Sequence, residues 1–454
     1  MAGITTIGVR ERATVPVVVV AAAGVAFLAG RGDLGRPAEI LAALLAVFVA
    51  VAATRAPLPA ACIGLGLVVA VPIYWAQPLP VLPLASTAGA VTGVLLFPAA
   101  TTAWARLHLT LLDGLVVLYF LISIASIGAN VEGQTAAIAD LLARSVLPYV
   151  VFRLLATLDG APTRLAATLV GVAVPLAVIG IQEGNGNGNP FFTLVRPGFE
   201  AGQWVRSQVR FGEVRAESSF GHAIAFGLFL AIALVLLLGL AWKANGRGRF
   251  VLLLASGVLV AALLATVSRG GVLSVGVGAL LWGVALRGRR TGLLVVAAVV
   301  AAGLLLTPAG DELARLRDSV SDAGEAGDAA RYRLEIARIA TDSDTFSILG
   351  QEAPPGLGVV AGAKELLGLR TIDSQYALVY VTNGAVGLAS FVAIALAAIA
   401  IALRRRLDPV ERAWAAATAA TAIALTSVAL FTQMLTLFWI AVAVTAAVAS
   451  RVDD

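Results

Sequence analysis

Side chains able to do chemistry are scarce in this chain, and four short segments hold most of those that could act on a substrate. The first, R-A-E-S-S-F-G-H at 215–222, sets the guanidinium of Arg215 seven residues before the imidazole of His222, a pair suited to an anionic substrate. The second, S-R-G-G at 268–271, joins the cation Arg269 to two glycines that leave backbone N–H groups open; a cation plus open N–H groups makes a phosphate cradle. The third is R-Y-R, whose Arg331 and Arg333 could engage a substrate or pair with Asp328 and Glu335 nearby. The fourth, D-S-Q-Y at 373–376, offers Asp373 either as a base at the mouth of a cavity or as the N-cap of the helix that follows. Plainer roles compete throughout. An Arg beside an apolar run can snorkel to a lipid phosphate, and Ser218 or Ser219 can simply cap a helix. Location decides between these roles, and location is set by the surrounding elements.

Of 454 residues, 59% are hydrophobic and 13% charged, and mean hydropathy is +0.94. That charged share is about half of what soluble domains carry. An ordinary cytosolic enzyme, a disordered chain and a nucleic-acid binder are excluded, in spite of a net charge of +5 and a pI of about 9.8. A single cysteine, Cys62, excludes an intrachain disulfide and a cysteine metal cluster. Crossing a hydrocarbon layer of ~30 Å takes about 17–25 apolar residues, and such runs follow one another almost end to end. Fourteen candidates occur, at 14–30, 37–54, 58–76, 82–100, 108–128, 137–158, 163–182, 219–241, 250–267, 272–286, 293–306, 376–403, 410–430 and 432–450. Pro72, Pro148 and Pro175 could kink their spans, and 137–158 carries Arg144 and Arg153. The expected fold class is all-α: a polytopic integral membrane helix bundle of about 12–14 transmembrane helices with a helical extracytoplasmic loop domain.

Lys and Arg accumulate in short cytoplasmic loops, which gives an independent handle on orientation. With the N-terminus inside, sixteen basic residues fall on the cytoplasmic side, among them Arg106, Arg164, Lys243, Arg404 and Arg451, against Arg31, Arg36 and Arg269 in short outer loops. Both termini are therefore expected in the cytoplasm of a bacterial inner membrane, with residues 1–12 too polar for a signal peptide. The organisation expected is N-terminal spans (1–183), an extracytoplasmic aromatic and arginine loop (184–218), further spans (219–306), a large extracytoplasmic loop (307–375) and C-terminal spans (376–454). The first loop follows N-G-N-G-N-P with Phe191, Phe192, Phe199, Trp204 and Phe211 among Arg196, Arg206, Arg210 and Arg215; these aromatics could stack sugars or rest at headgroup level. The second loop has twelve acidic residues to seven basic, and its 328–342 stretch has helical periodicity. Neither a tandem repeat nor an inverted pair of broken helices is visible.

Taken in order, these motifs resemble the O-antigen ligase and polymerase-like family. The resemblance lies in an Arg before a polar helix start with F-x-H (215–227), an S-R-G turn two spans later (266–273), a long outer loop opening at Arg333 (333–350), and a polar segment before an N-G-x-x-G-L span (374–388). It covers roughly the last half of the chain. The family's members are membrane glycosyltransferases of the GT-C type, so the resemblance implies a metal-independent, inverting transfer of oligosaccharide from an undecaprenyl-pyrophosphate carrier. The acceptor would be a glycan or glycolipid at the outer face. It further implies anion binding by Arg215 and Arg269 and no cofactor or metal; the loops' own residues add Arg210 as a further pyrophosphate contact and Trp204, Arg331 and Arg333 as substrate-loop contacts. Membrane lipid, a flippase and a chain-length regulator would be its partners, without nucleic acid. The family's ligases place a catalytic His-Asn near the end of the long loop, where this chain reads Asp373-Ser374-Gln375. That departure favours a polymerase over a ligase and leaves Asp373 or His222 as the base. A solute or anion transporter is the competing class.

Overall fold

A computed structural model describes residues 49–72, 87–130, 134–194, 207–210, 212–284, 338, 347–350, 364, 372, 374–430 and 432–453. The expected spans at 14–30 and 293–306, most of 37–54, and the candidates Trp204, Arg331, Arg333 and Asp373 lie outside the described residues.

Within them the chain is overwhelmingly helical. Twelve α-helices follow in order: α1 (Pro57–Ala70), α2 (Thr87–Thr101), α3 (Leu111–Asn130), α4 (Gln134–Leu141), α5 (Leu147–Leu155), α6 (Ala161–Gln182), α7 (Ala223–Lys243), α8 (Gly246–Ala265), α9 (Arg269–Val284), α10 (Gln375–Ala402), α11 (Pro409–Ala424) and α12 (Thr432–Asp453). A π-helical turn, Leu142–Val146, joins α4 to α5, and another, Glu183–Asn187, prolongs α6. Six helices are long and apolar enough to cross a membrane, and three more apolar helices are shorter. The helical expectation needs one amendment: a two-stranded ribbon, β1 (Val209–Arg210) and β2 (Glu213–Val214), pairs Arg210 with Glu213 and turns at Gly212.

Local chemistry fixes where the helices begin. Asp408 and Glu411 form a reciprocal capping box at α11, with Pro409 in the first turn. Pro148 directly follows the π-helical turn, and the backbone stays in the right-handed helical region through the junction. Ser374 accepts the Ala377 N–H and caps α10, the position for which Asp373 was considered.

Helices α7, α11 and α12 are buried on nearly all sides. The alanine-rich faces of α11 and α12 permit close approach, and the Thr418 and Thr445 hydroxyls bond each other at 2.9 Å between them. By contrast α8 exposes Phe250, Val251, Leu253 and Leu254, and α3 exposes Leu111, Val117, Leu118 and Leu121, the pattern of a surface that meets hydrocarbon.

The bundle has two chemically different ends. At one, Lys243 pairs with Asp408, Arg451 pairs with Glu411 and bonds the Ala156 and Leu158 carbonyls, and Arg412 bonds those of Arg404, Arg405 and Leu407. Buried beside them, Asp113 receives Arg153 Nε at 2.7 Å and Nη2 at 2.9 Å, together with the Tyr149 hydroxyl at 2.6 Å. The opposite end gathers the last turns of α1, α6 and α8, the first turns of α7, α9, α10 and α12, and the 207–222 segment. There α10 breaks at Gly384, whose φ of 69° suits glycine. The segment 347–350 crosses at the break, its Ser347 carbonyl accepting the Ala385 N–H at 2.9 Å.

Candidate functional site

Arg215 is the cation most firmly built into this second end. Its side chain is only 7% exposed. Its Nε donates to the Thr266 carbonyl at 2.9 Å, Nη1 donates to Gln208 Oε1 at 3.3 Å, and its backbone N–H donates to the Gln208 carbonyl at 2.8 Å. Nη2 is buried with no hydrogen-bond partner among the described residues. Burial, then the charge of Arg210, pull its pKa down to about 10 against an opposing contribution from Glu217.

Two carboxyl groups complete the cluster, both fully buried. Glu183 ends the α6 span, and its Oε2 receives the backbone N–H groups of Glu217 and Ser218 at 2.8 and 2.9 Å. These two donors fix the turn at Ser218, a non-glycine residue held at a φ of 48°. Glu217 accepts the Gln208 N–H on Oε1 at 3.1 Å, while its Oε2 has no partner among the described residues. Burial pushes the Glu217 pKa up to about 8; Glu183 adds to the rise, and the Gln208 N–H and Arg215 oppose it. Glu217 is therefore largely protonated at neutral pH.

The remainder of the motif is locked to its neighbours. Asn189 Nδ2 donates to the Ser218 carbonyl, Ser219 Oγ to that of Val69, and Gln433 Nε2 to those of Val71 and Ser219. His222 stands immediately before α7 rather than one turn inside it, and its Nδ1 accepts the Ile224 N–H at 3.2 Å. It thus takes the N-cap role that Ser218 or Ser219 might have had. Burial and Arg215 lower its pKa to about 4, so the ring is neutral, and an accepting Nδ1 puts the hydrogen on Nε2.

The S-R-G-G turn approaches from the other side. Ser268 Oγ accepts the Gly271 N–H, making Ser268 the cap of α9 and Arg269 its exposed first residue. Close packing brings this turn to the 215–222 segment: a Cβ on Gly227 would meet Ser268 at 3.0 Å, and one on Gly271 would meet the Gly227 carbonyl at 2.9 Å. The Arg215 bond to Thr266 reaches a residue three positions before Arg269. Arg215, Arg269, Arg210 and His222 thus share one end of the bundle, and the polar start of α10 lies there too, since Gln375 Oε1 receives the Leu430 N–H at 2.8 Å.

Sequence reasoning named the arginines and passed over Glu183, Glu217 and Gln433. The signal was present: an ionisable or amide side chain at the edge of an apolar run is costly unless something holds it. Fold and site together define a multi-span helical bundle with a buried guanidinium–carboxyl cluster at one end. No protein-family model matches this chain, and no curated protein matches it either. Function must therefore be argued from the site's own chemistry and from the motif resemblance.

Proposed function

We propose that this protein is a glycosyltransferase of the bacterial inner membrane that moves oligosaccharide from a polyprenyl-pyrophosphate donor to a hydroxyl of an acceptor glycan or glycolipid, as a polymerase rather than a ligase. Both termini lie in the cytoplasm and the Arg215 end faces outside, with a flippase and a chain-length regulator as partners. The observation carrying this reading is Arg215, a deeply buried guanidinium with an unpartnered Nη2, tied to the turn that bears Arg269. Among apolar helices such a donor suits an anion attached to lipid.

In the proposed reaction the acceptor hydroxyl oxygen attacks the donor's anomeric carbon from the face opposite the pyrophosphate. The bond between that carbon and the pyrophosphate oxygen breaks, and its electron pair leaves on the pyrophosphate. Arg215 and Arg269 stabilise the charge that develops there, without need of a metal. Asp373 takes the acceptor's proton. His222 suits a donor's role better than a base's, because its Nδ1 is engaged as a cap. Protein purified in detergent, with chelator present and no ion gradient, should convert lipid-linked oligosaccharide to product, and Arg215→Ala or Arg269→Ala should slow this at least tenfold. Full activity in either variant would remove that Arg from the mechanism.

The break in α10 at Gly384, beside the amide of Asn383, favours a second reading as an anion transporter, since discontinuous helices bind substrates in many transporters. Solute movement in sealed liposomes, with lipid-linked oligosaccharide left unchanged in detergent, would establish it over the transferase.

A further inference from the structure

Building on the reading of Arg215 as an anion site, we propose that Glu217 holds a proton there and donates it in a hydrogen bond to the bound phosphoryl group, so that binding takes up a proton wherever the free site has lost it. Both side chains converge on one residue. Gln208 gives its backbone N–H to Glu217 Oε1 and accepts Arg215 Nη1 on its side-chain oxygen, while its carbonyl accepts the Arg215 backbone N–H. Each partner then keeps one buried atom without a mate among the described residues: Nη2 of Arg215 and Oε2 of Glu217. No ion pair within 4.0 Å links them.

The backbone cannot supply the missing donors, because Glu183 Oε2 already takes the N–H groups of Glu217 and Ser218. An ionised Glu217 would set a bare carboxylate oxygen against an incoming phosphate, at a like-charge cost that a dry site magnifies. A protonated Glu217 offers an O–H donor instead. The charged and titratable groups around it are Glu183 at the end of α6, Arg210 on β1, Arg215, His222 before α7 and Arg269 at the start of α9. Burial favours the protonated acid at neutral pH, as described above. A bound anion adds negative charge and strengthens that preference.

Proton uptake on binding tests the proposal directly. Full-length protein in detergent is titrated calorimetrically with farnesyl pyrophosphate at pH 8.5, where the probe's phosphates are ionised, in two buffers of different ionisation enthalpy. With a free-site pKa of about 8, binding should draw in roughly three-quarters of a proton per site. Affinity should fall roughly tenfold from pH 7 to pH 9. Glu217→Gln, which keeps an N–H donor in place of the O–H, should still bind, take up no proton and lose that part of the pH dependence. Dihexanoyl phosphatidylglycerol serves as the second probe: uptake with farnesyl pyrophosphate alone assigns the site to a pyrophosphate, and equal uptake with both assigns it to a headgroup phosphate. Either result supports the proton coupling. Binding by wild type without proton uptake overturns the proposal, as does failure to bind either probe. Unchanged binding of farnesyl pyrophosphate by Arg215→Ala sinks the underlying anion-site reading instead.

Discussion

Glu217→Gln should make the protein more stable, and increasingly so as pH rises from 5 to 8. The wild-type acid titrates near 4.5 when unfolded and near 8 when folded, so the native state binds more protons between those values. A raised pKa means that stability is complete below about 4.5 and declines as pH climbs towards 8, where the loss levels off. Each pH unit of that window costs 1.36 kcal/mol, so the loss is about 3 kcal/mol at pH 7 and about 4 kcal/mol at pH 8, as an upper bound for a fully buried group. Glutamine has no such loss. Its side-chain oxygen can keep the Gln208 N–H, and its amide replaces the carboxylic O–H. Thermal unfolding in detergent, followed by tryptophan fluorescence at pH 5, 6, 7 and 8, reads the difference; Trp282, Trp414 and Trp439 are buried reporters. The two proteins should melt together at pH 5 and diverge by several degrees at pH 8, with the variant higher. Parallel curves, or a variant that melts lower at pH 8, would refute the reasoning, because they are what an ionised Glu217 serving as counter-ion to Arg215 would produce.

Three further outcomes are expected. Arg153→Ala should destabilise the fold by about 3–5 kcal/mol by stranding buried Asp113, and Asp113→Asn combined with Arg153→Met should recover much of that in a double-mutant cycle; equal melting of the single variant and wild type would show the pair to be idle. In single-turnover assays with lipid-linked donor, Asp373→Asn should lose rate with donor binding intact while His222→Gln keeps most of it; full rate in Asp373→Asn would remove Asp373 as base. With Cys62 replaced by alanine, cysteines introduced at Gly186 and Ser321 should react with an impermeant thiol reagent in intact cells, and labelling only after lysis would invert the proposed topology.

The helices were legible because an apolar helix needs a long run of apolar residues and little else, but among the described residues six of them are long and apolar enough to cross a membrane, against the 12–14 spans expected. Eleven of the fourteen apolar runs coincide with helices among the described residues, to within a few positions at most ends, as 163–182 does with Ala161–Gln182. The run at 137–158 corresponds to one continuous helical stretch at 134–155, whose middle winds as a π-helical turn at Leu142–Val146 where Arg144 leans back to Asp140, a detail its apolar pattern does not carry. The break in α10 was written only as N-G, a pair with many uses; what fixes it is a segment more than thirty residues earlier, whose Ser347 carbonyl takes the Ala385 N–H. Glu217 stood inside a quoted motif and was passed over for the same kind of reason. Its protonation depends on burial, opposed by the Gln208 N–H and aided by Glu183, and these groups, 9 and 34 residues away along the chain, reach it only once the bundle has formed.

What distinguishes Arg215 from the arginines at the opposite end is the fate of its charge. Arg153 meets Asp113 through two nitrogens, so its charge is matched where it lies. Arg412 spends Nη2 on three carbonyls at a helix end, with Asp408 close enough to support its charge. Arg451 closes α12 against the end of α5 and pairs with Glu411. These three fasten the basic end of the bundle, where orphan carbonyls and cations satisfy each other. Arg215 bonds only carbonyl and amide oxygens, and the buried acid two residues on, Glu217, is pushed towards its neutral form. Holding a cation in a dry site costs several kcal/mol unless an anion arrives to share it. A site that keeps an unmatched guanidinium beside a protonated acid is poised for a ligand bringing negative charge and acceptor oxygens together, which is the chemistry of a phosphoryl group.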